Sequence, residues 1–450
     1  MRPSLELKKI IEGKIPLDFN WNCDFYKSSL LHKRIPPEPK ASQLKKVIIV
    51  DEGLRDGLHG VLDYPSVKKM LRYVKSAYLM KIRVMTIGIY SGDGVVSKTT
   101  KKLLWKMKVD FPQISPIVLS MATSESLKWA AECAAINPKL QVLVFMGSAP
   151  SRMLVEGWTK DFVFSRLSWA VKKAVNTYKL NVIGATEHTT QTPPGFLKAI
   201  IKTQIKNGAK YFCVADTIGI ARPIGVYRII KFVKKVLRDF GADDILIDWH
   251  GHRDIGYSTA NAMAAVAAGA DRIHLVALGI GERAGNSSLE KFLVNASQIL
   301  RESDSIPRWD MSYLSTLLKV YAEITNNDLP QYGCLGERAF CTSLGIHTAA
   351  ILKAEQLALE AEKKGHSDLV PQLREMARKV YSAIDPNSVG RDYQIGIGPY
   401  SGASTVKLWA ISKGFKEPSE RTIKKVLNTA KGLRRNLSKK EIFSLINFKK

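Results

Sequence analysis

Two histidines one residue apart, His250 and His252, close the apolar run ILIDWHGH (245–252). Side chains on a strand alternate between its faces, so both imidazoles leave the same face and can approach one cation. Taken alone, the pair also fits rim histidines that hydrogen-bond locally. Asp56, in LRDG (54–57), and the amide of Asn286, in GIGERAGN (279–286), follow other apolar runs. Together the four form a mixed nitrogen and oxygen donor set suited to a divalent ion such as Mg, Mn or Zn, with positions left for substrate. Arg55 beside Asp56 is then either a cation aimed at that site or a salt-bridge partner at its rim.

The elements that must position these residues recur with a regular rhythm. Short β-branched runs alternate with longer helix-period stretches from residue 47 onward, the pattern of βα units and a parallel sheet. The runs are KVIIVDE (46–52), IRVMTIGIY (82–90), ISPIVLSMA (114–122), LQVLVFMGS (140–148), LNVIGATE (180–187), AKYFCVADT (209–217), ILIDWHGH (245–252) and DRIHLVALG (271–279). Eight such strands predict a (β/α)8 TIM barrel, with its polar strand ends gathered at one mouth. The rival, a doubly wound open sheet, normally carries a Gly-rich phosphate turn after its first strand, and DEGLRDG is not one. Residues 1–45, with the Pro-rich RIPPEPKAS, read as an extension and linker before a catalytic domain over 46–300. Beyond it a helical run from Trp309 to Thr325 leads into a helical subdomain over 301–384, centred on 336–383. A C-terminal subdomain over 385–450 begins Gly-rich with a short strand and ends in two basic helices divided at Gly432 and capped at Ser438.

Composition excludes several classes. At 450 residues, 45% hydrophobic and 24% charged, the chain can bury a large core and is neither disordered nor a membrane protein. Without an apolar run long enough to span a bilayer or a secretory leader in MRPSLELKKI, it reads as cytoplasmic. Its formal charge of +27 invites a nucleic-acid partner. The charge is dispersed, however, apart from 12 basic against 3 acidic residues over 411–450, and a solvated basic surface suited to an anionic substrate is the reading taken. Five cysteines without CxxC spacing argue against disulfides and thiolate zinc.

Six segments together resemble the acyl-CoA-dependent synthases of the HMGL-like DRE-TIM metallolyase superfamily, which make 2-isopropylmalate, homocitrate and citramalate. They are LRDG (54–57), ADTIGIARP (215–223), HGHRDIGYSTANAMAAVAAGADRIH (250–274), GIGERAGNSSLE (279–290), LGERAFCTSLGIHTAAILKA (335–354) and YSAIDPNSVGRDYQIGIGPYSGASTV (381–406). The resemblance implies a homodimer that condenses acetyl-CoA with a 2-oxo acid, using a divalent metal on Asp56, His250, His252 and Asn286. It implies that Arg55 stabilises charge on the ketone oxygen and that Thr217 contacts the 2-oxo acid carboxylate, although Thr217 also reads as a strand-end cap. Glu187 takes the place of the strand 5 carboxylate, either orienting Arg55 or moving a proton of the acetyl methyl group. His347 and Tyr381 match a histidine and tyrosine placed near the partner subunit's active site as a proton relay.

Departures cluster around the expected pocket. Gly53 stands where the family has threonine, His59 for glutamine beside the substrate, Arg253 for asparagine, Thr342 for histidine, and Met121 where many members have arginine. They leave the metal ligands intact and point to an unusual 2-oxo acid. The rival functions are a carbon–carbon lyase or aldolase of the same superfamily and a non-catalytic basic binding homologue. The lyases carry a cysteine in the loop after strand 8, and GIGERAGN has none. Only about 45 residues follow GPYSGASTV, so no separate allosteric domain is expected.

Overall fold

A computed structural model describes residues 37–446. The first 36 residues of the expected extension lie outside that range; of the Pro-rich stretch, 37–40 are irregular and Ala41–Leu44 form one helical turn. Eight parallel strands follow and close into a ring: β1 (Ile48–Asp51), β2 (Val84–Ile89), β3 (Ser115–Met121), β4 (Gln141–Phe145), β5 (Asn181–Thr186), β6 (Tyr211–Asp216), β7 (Leu246–Gly251) and β8 (Arg272–Leu275). Each falls within a run read from the sequence as a strand. The ring closes where β8 pairs with β1, from Ile48 opposite Arg272 to Asp51 opposite Leu275. The chain is therefore a (β/α)8 barrel followed by a mainly helical region, and the open-sheet rival is excluded.

Strands in such a barrel are buried on both faces, which is why they read as unbroken Val/Ile/Leu runs rather than as alternating ones. Ile117 and Leu119 of β3 point inward to pack with Val84, Leu143, Ile183, Ala185 and Cys213, while Val118 between them is fully buried on the other face. The helix Pro223–Asp239 shows how the outer layer is built. Proline opens it, where no amide partner is needed, and Val226, Ile229, Ile230, Val233 and Leu237 form its buried stripe. At the far end of the helix Ser258–Ala268, Gly269 adopts φ 105°, and the Gln43 side-chain amide donates to the carbonyls of Val266 and Ala267.

The described residues divide into two compact units, one running to Asp310 with Leu317–Asp328 added, the other made of Met311–Thr316 and the chain from Leu329. The helical run expected from Trp309 folds as a turn at Met311–Tyr313 and the helix Leu314–Thr325. In the second unit the segment 336–344 is not helical. It contains β9 (Cys341–Thr342), which pairs in parallel with β10 (Gln394–Ile395), and helices begin only at Gly345–Lys363 and Val370–Lys379. Ala403–Ser412 is a helix that the surrounding glycines hid, and its Val406 and Trp409 pack on Ile397, Ile423, Val426 and Ile442. The two terminal helices, Glu420–Gly432 and Lys439–Ile446, follow, with Ser438 accepting from the Glu441 amide.

Candidate metal centre at the barrel mouth

At the C-terminal end of β1 the chain turns sharply through Gly53. The Asp51 carboxylate accepts from the Gly53 amide at 2.8 Å and from the Tyr73 hydroxyl at 2.7 Å. Burial pushes its carboxyl up to about 7. A Cβ on Gly53 would stand 2.7 Å from the Tyr73 oxygen, which accounts for glycine at this position.

Arg55 follows, its guanidinium clamped between two carboxylates. Nη2 donates to Glu52 at 2.5 Å and Nη1 to Asp56 at 2.8 Å, while the buried Nε has no partner. Burial acts to raise the Asp56 carboxyl, but Arg55 and His250 outweigh it and hold the group well below the usual carboxylate range. Asp56 is an anion here.

β7 delivers both histidines to that anion. The Nε2 atoms of His250 and His252 lie 3.1 Å apart and 3.7 and 3.8 Å from Asp56 Oδ2, all facing one point. Burial and the neighbouring His250 push His252 down to about 4, so its ring is neutral with a lone pair to offer. The loop after β8 folds back so that Asn286 bridges His252, and the Asn286 amide donates to Asp56 Oδ1 at 3.1 Å and to Ile280 O at 3.3 Å. Its Oδ1 is left buried without a partner. Three ligand atoms from Asp56, His250 and His252 lie within 4.8 Å of one another. With the orphaned amide oxygen beside them, this donor set fits a divalent cation of borderline or hard character.

A second layer holds the first. Glu52 accepts from His250 Nδ1 at 2.6 Å and from His274 Nδ1 at 3.0 Å. His274 Nε2 faces Asp248 at 3.0 Å, and Asp248 takes Arg272 through two oxygens at 2.7 and 2.5 Å. Burial alone would raise Glu52, yet Arg55, His250 and His274 hold it well below its ordinary range. An anionic Glu52 fixes the His250 proton on Nδ1 and leaves Nε2 facing Asp56, the arrangement a metal-binding histidine needs. Glu52, Asp248, Arg272 and His274 were not singled out from the sequence. The period-two spacing was there to read, in Asp248-x-His250-x-His252 and Arg272-x-His274.

A cavity of about 240 Å³ opens over this group, and Arg55, Asp56, His59, Glu187, Thr217, His250 and His252 all line it. His59 sits 3.8 Å from Asp56 and 3.6 Å from Glu282, with burial and Arg55 lowering its ring below the ordinary range. Thr217 accepts from the His188 amide at 2.8 Å, a strand-end tie that still leaves its own proton to donate. Arg55 is held by Glu52 and Asp56, whereas the Glu187 carboxylate has Arg152 at 3.8 Å and is raised by burial against that cation. Arg253 ties the loop after β8 by donating to Ala284 O, with its amide on Gly285 O at 3.0 Å. In the second unit the rings of His347 and Tyr381 stack at 3.8 Å, and Thr342 Oγ1 lies 3.4 Å from His347 Nδ1.

Similarity to known proteins follows the same lines. The 2-isopropylmalate synthase of Sulfolobus acidocaldarius is 26% identical over 365 residues, 81% of this chain and 84% of its own. That of Sulfurisphaera tokodaii is 26% identical over 394 residues, 87% of this chain and 92% of its own. A hydroxymethylglutaryl-CoA lyase from Pseudomonas aeruginosa shares the fold, with a TM-score of 0.52 at 17% identity over 63% of this chain and 94% of that one. Among the described residues no helix is long and apolar enough to cross a membrane. Residues 46–313, the barrel and its flanks, match the HMGL-like family, and the chain belongs to it as one of its enzymes.

Proposed function

We infer that the protein is a metal-dependent acyltransferase that condenses acetyl-CoA with a 2-oxo acid to give a 2-substituted malate and free CoA. The observation carrying this is the convergence of Asp56, His250 and His252 on one point beside the orphaned Asn286 oxygen. A divalent ion held there supplies Lewis acidity to an oxo acid able to chelate it. Arg55, immobilised by two carboxylates, offers a fixed cation where negative charge gathers on the ketone oxygen as the new carbon–carbon bond forms. Thr217 and His59 contact the acid. Glu187, which burial makes a stronger base, takes a methyl proton from the acetyl group. His347 and Tyr381 relay protons in a homodimer, the ketone oxygen ends protonated, and water cleaves the thioester. Likeness to the synthases extends over 87% of the chain and past the barrel, whereas the lyase likeness covers 63% and concerns the fold.

The test is release of CoA thiol from acetyl-CoA by protein reconstituted with Mg, Mn or Zn, across a panel of 2-oxo acids. Thiol release that depends on both metal and oxo acid is the expected result. Metal bound without turnover, together with cleavage of a hydroxyacyl-CoA, would move the protein to the lyases.

A further inference from the structure

A second cavity, about 270 Å³, lies past the ends of β3 and β4. It shares Phe145 and Glu187 with the first, so the two meet across those side chains. Met121, Trp158 and Phe162 give it apolar walls, and Arg152 and Arg166 give it charge. Gly147 makes the room. A Cβ there would stand 2.6 Å from Arg152 Cγ and 3.3 Å from Glu187 Oε2, so bare backbone lets Arg152 pass.

The two arginines differ. Arg152 is answered by Glu156 at 2.6 Å and by Glu187 at 3.8 Å. Arg166 lies against rings instead, its Cζ 5.3 Å from the Trp169 centroid and 5.8 Å from that of Phe162, with no carboxylate at ion-pairing distance among the described residues. A guanidinium resting on aromatic faces is pre-organised and weakly hydrated, which suits it to bind an anion in a partly desolvated pocket.

We propose that this cavity receives the far end of the acceptor, and that the acceptor is a dianionic 2-oxo acid. Its oxo acid head lies at the Asp56–His250–His252 group, an apolar stem passes Phe145, and a terminal carboxylate meets Arg166. A compact branched acid leaves the cavity and its unanswered cation unused. The inference rests on the acyl-transfer reading above and names the substrate class for it.

The experiment compares 2-oxoadipate with 2-oxohexanoate, which has the same chain length but lacks the second carboxylate, and with 2-oxoisovalerate. Calorimetric binding to metal-loaded protein is read alongside KM. The expected result is at least about a tenfold preference for 2-oxoadipate, equivalent to about 1.4 kcal/mol. Arg166→Gln should erase it without moving the KM for acetyl-CoA, and Arg166→Lys should restore part of it. Preference for 2-oxoisovalerate or 2-oxohexanoate, or a preference that survives Arg166→Gln, overturns the proposal and leaves the acyl-transfer reading standing. A raised KM for acetyl-CoA in Arg166→Gln overturns it too, by assigning the cavity to the donor. If none of the three acids binds or turns over while a monoanionic 2-oxo acid of the wider panel does, the proposal falls and the acyl-transfer reading stands; if no 2-oxo acid of that panel releases CoA thiol, the acyl-transfer reading falls, and the proposal with it.

Discussion

Val84, Ile117, Leu119, Leu143 and Ile183 fill the barrel interior along β2 to β5 with hydrocarbon, whereas the side where β7 and β8 meet β1 carries Glu52, Asp248, Arg272 and His274 in one hydrogen-bonded chain. Both sides are buried, but they are held differently. Hydrocarbon packing is non-directional and asks mainly for volume. Each member of the charged chain is tolerable in the interior only because a named neighbour answers it. The first side is therefore built to fill space, and the second to fix where His250 points.

The largest effect that would break this contrast is at the proposed metal ligands. His252→Ala should lose bound metal and turnover together, read by metal analysis after desalting and by thiol release; an active, metal-free variant would remove the proposed centre. Next is Asp248→Ala, which takes the carboxylate from buried Arg272, leaving it only the Gln141 amide oxygen, and one of two partners from His274, and should cost about 3–5 kcal/mol in urea unfolding. A loss below about 1 kcal/mol would mean that water or relaxation replaces Asp248 and that the charged side is less constrained than its distances imply. Glu52→Gln keeps the shape but frees the His250 proton, so metal affinity should fall about 10–100-fold by titration calorimetry. Unchanged affinity would reduce Glu52 to a packing role. Smallest is Leu143→Met on the hydrocarbon side, expected to cost less than about 1.5 kcal/mol.

The same contrast governs what was legible in the sequence. The eight strands could be read because burial on both faces makes each a continuous β-branched run, and His250-x-His252 could be read because strand alternation alone puts both rings on one face. What joins them could not. Glu52 meets His250 and His274 only through the closure of the ring, and neither a spacing nor a propensity encodes a contact between the first strand and the last two. Arg166 was hidden for a related reason. It lies on an amphipathic surface helix, Lys160–Lys172, among other basic residues, and only the cavity distinguishes it from them. The helix Ala403–Ser412 escaped because Gly402 just before it belongs to a glycine-rich stretch that reads as loop.

Ring closure also sets an order in time. β1 pairs with β2 on one edge and waits for β8 on the other, and such distant pairings are slow to form. Asp56 comes from the first strand's turn, His250 and His252 from the seventh strand's end, and Asn286 from the loop after the eighth. A chain still emerging during synthesis, or collapsed without its last strand, cannot own the complete donor set. Any ligand that recognises that set selects the finished barrel and stabilises it against every shorter or unclosed form, so the candidate centre also marks completion of the fold.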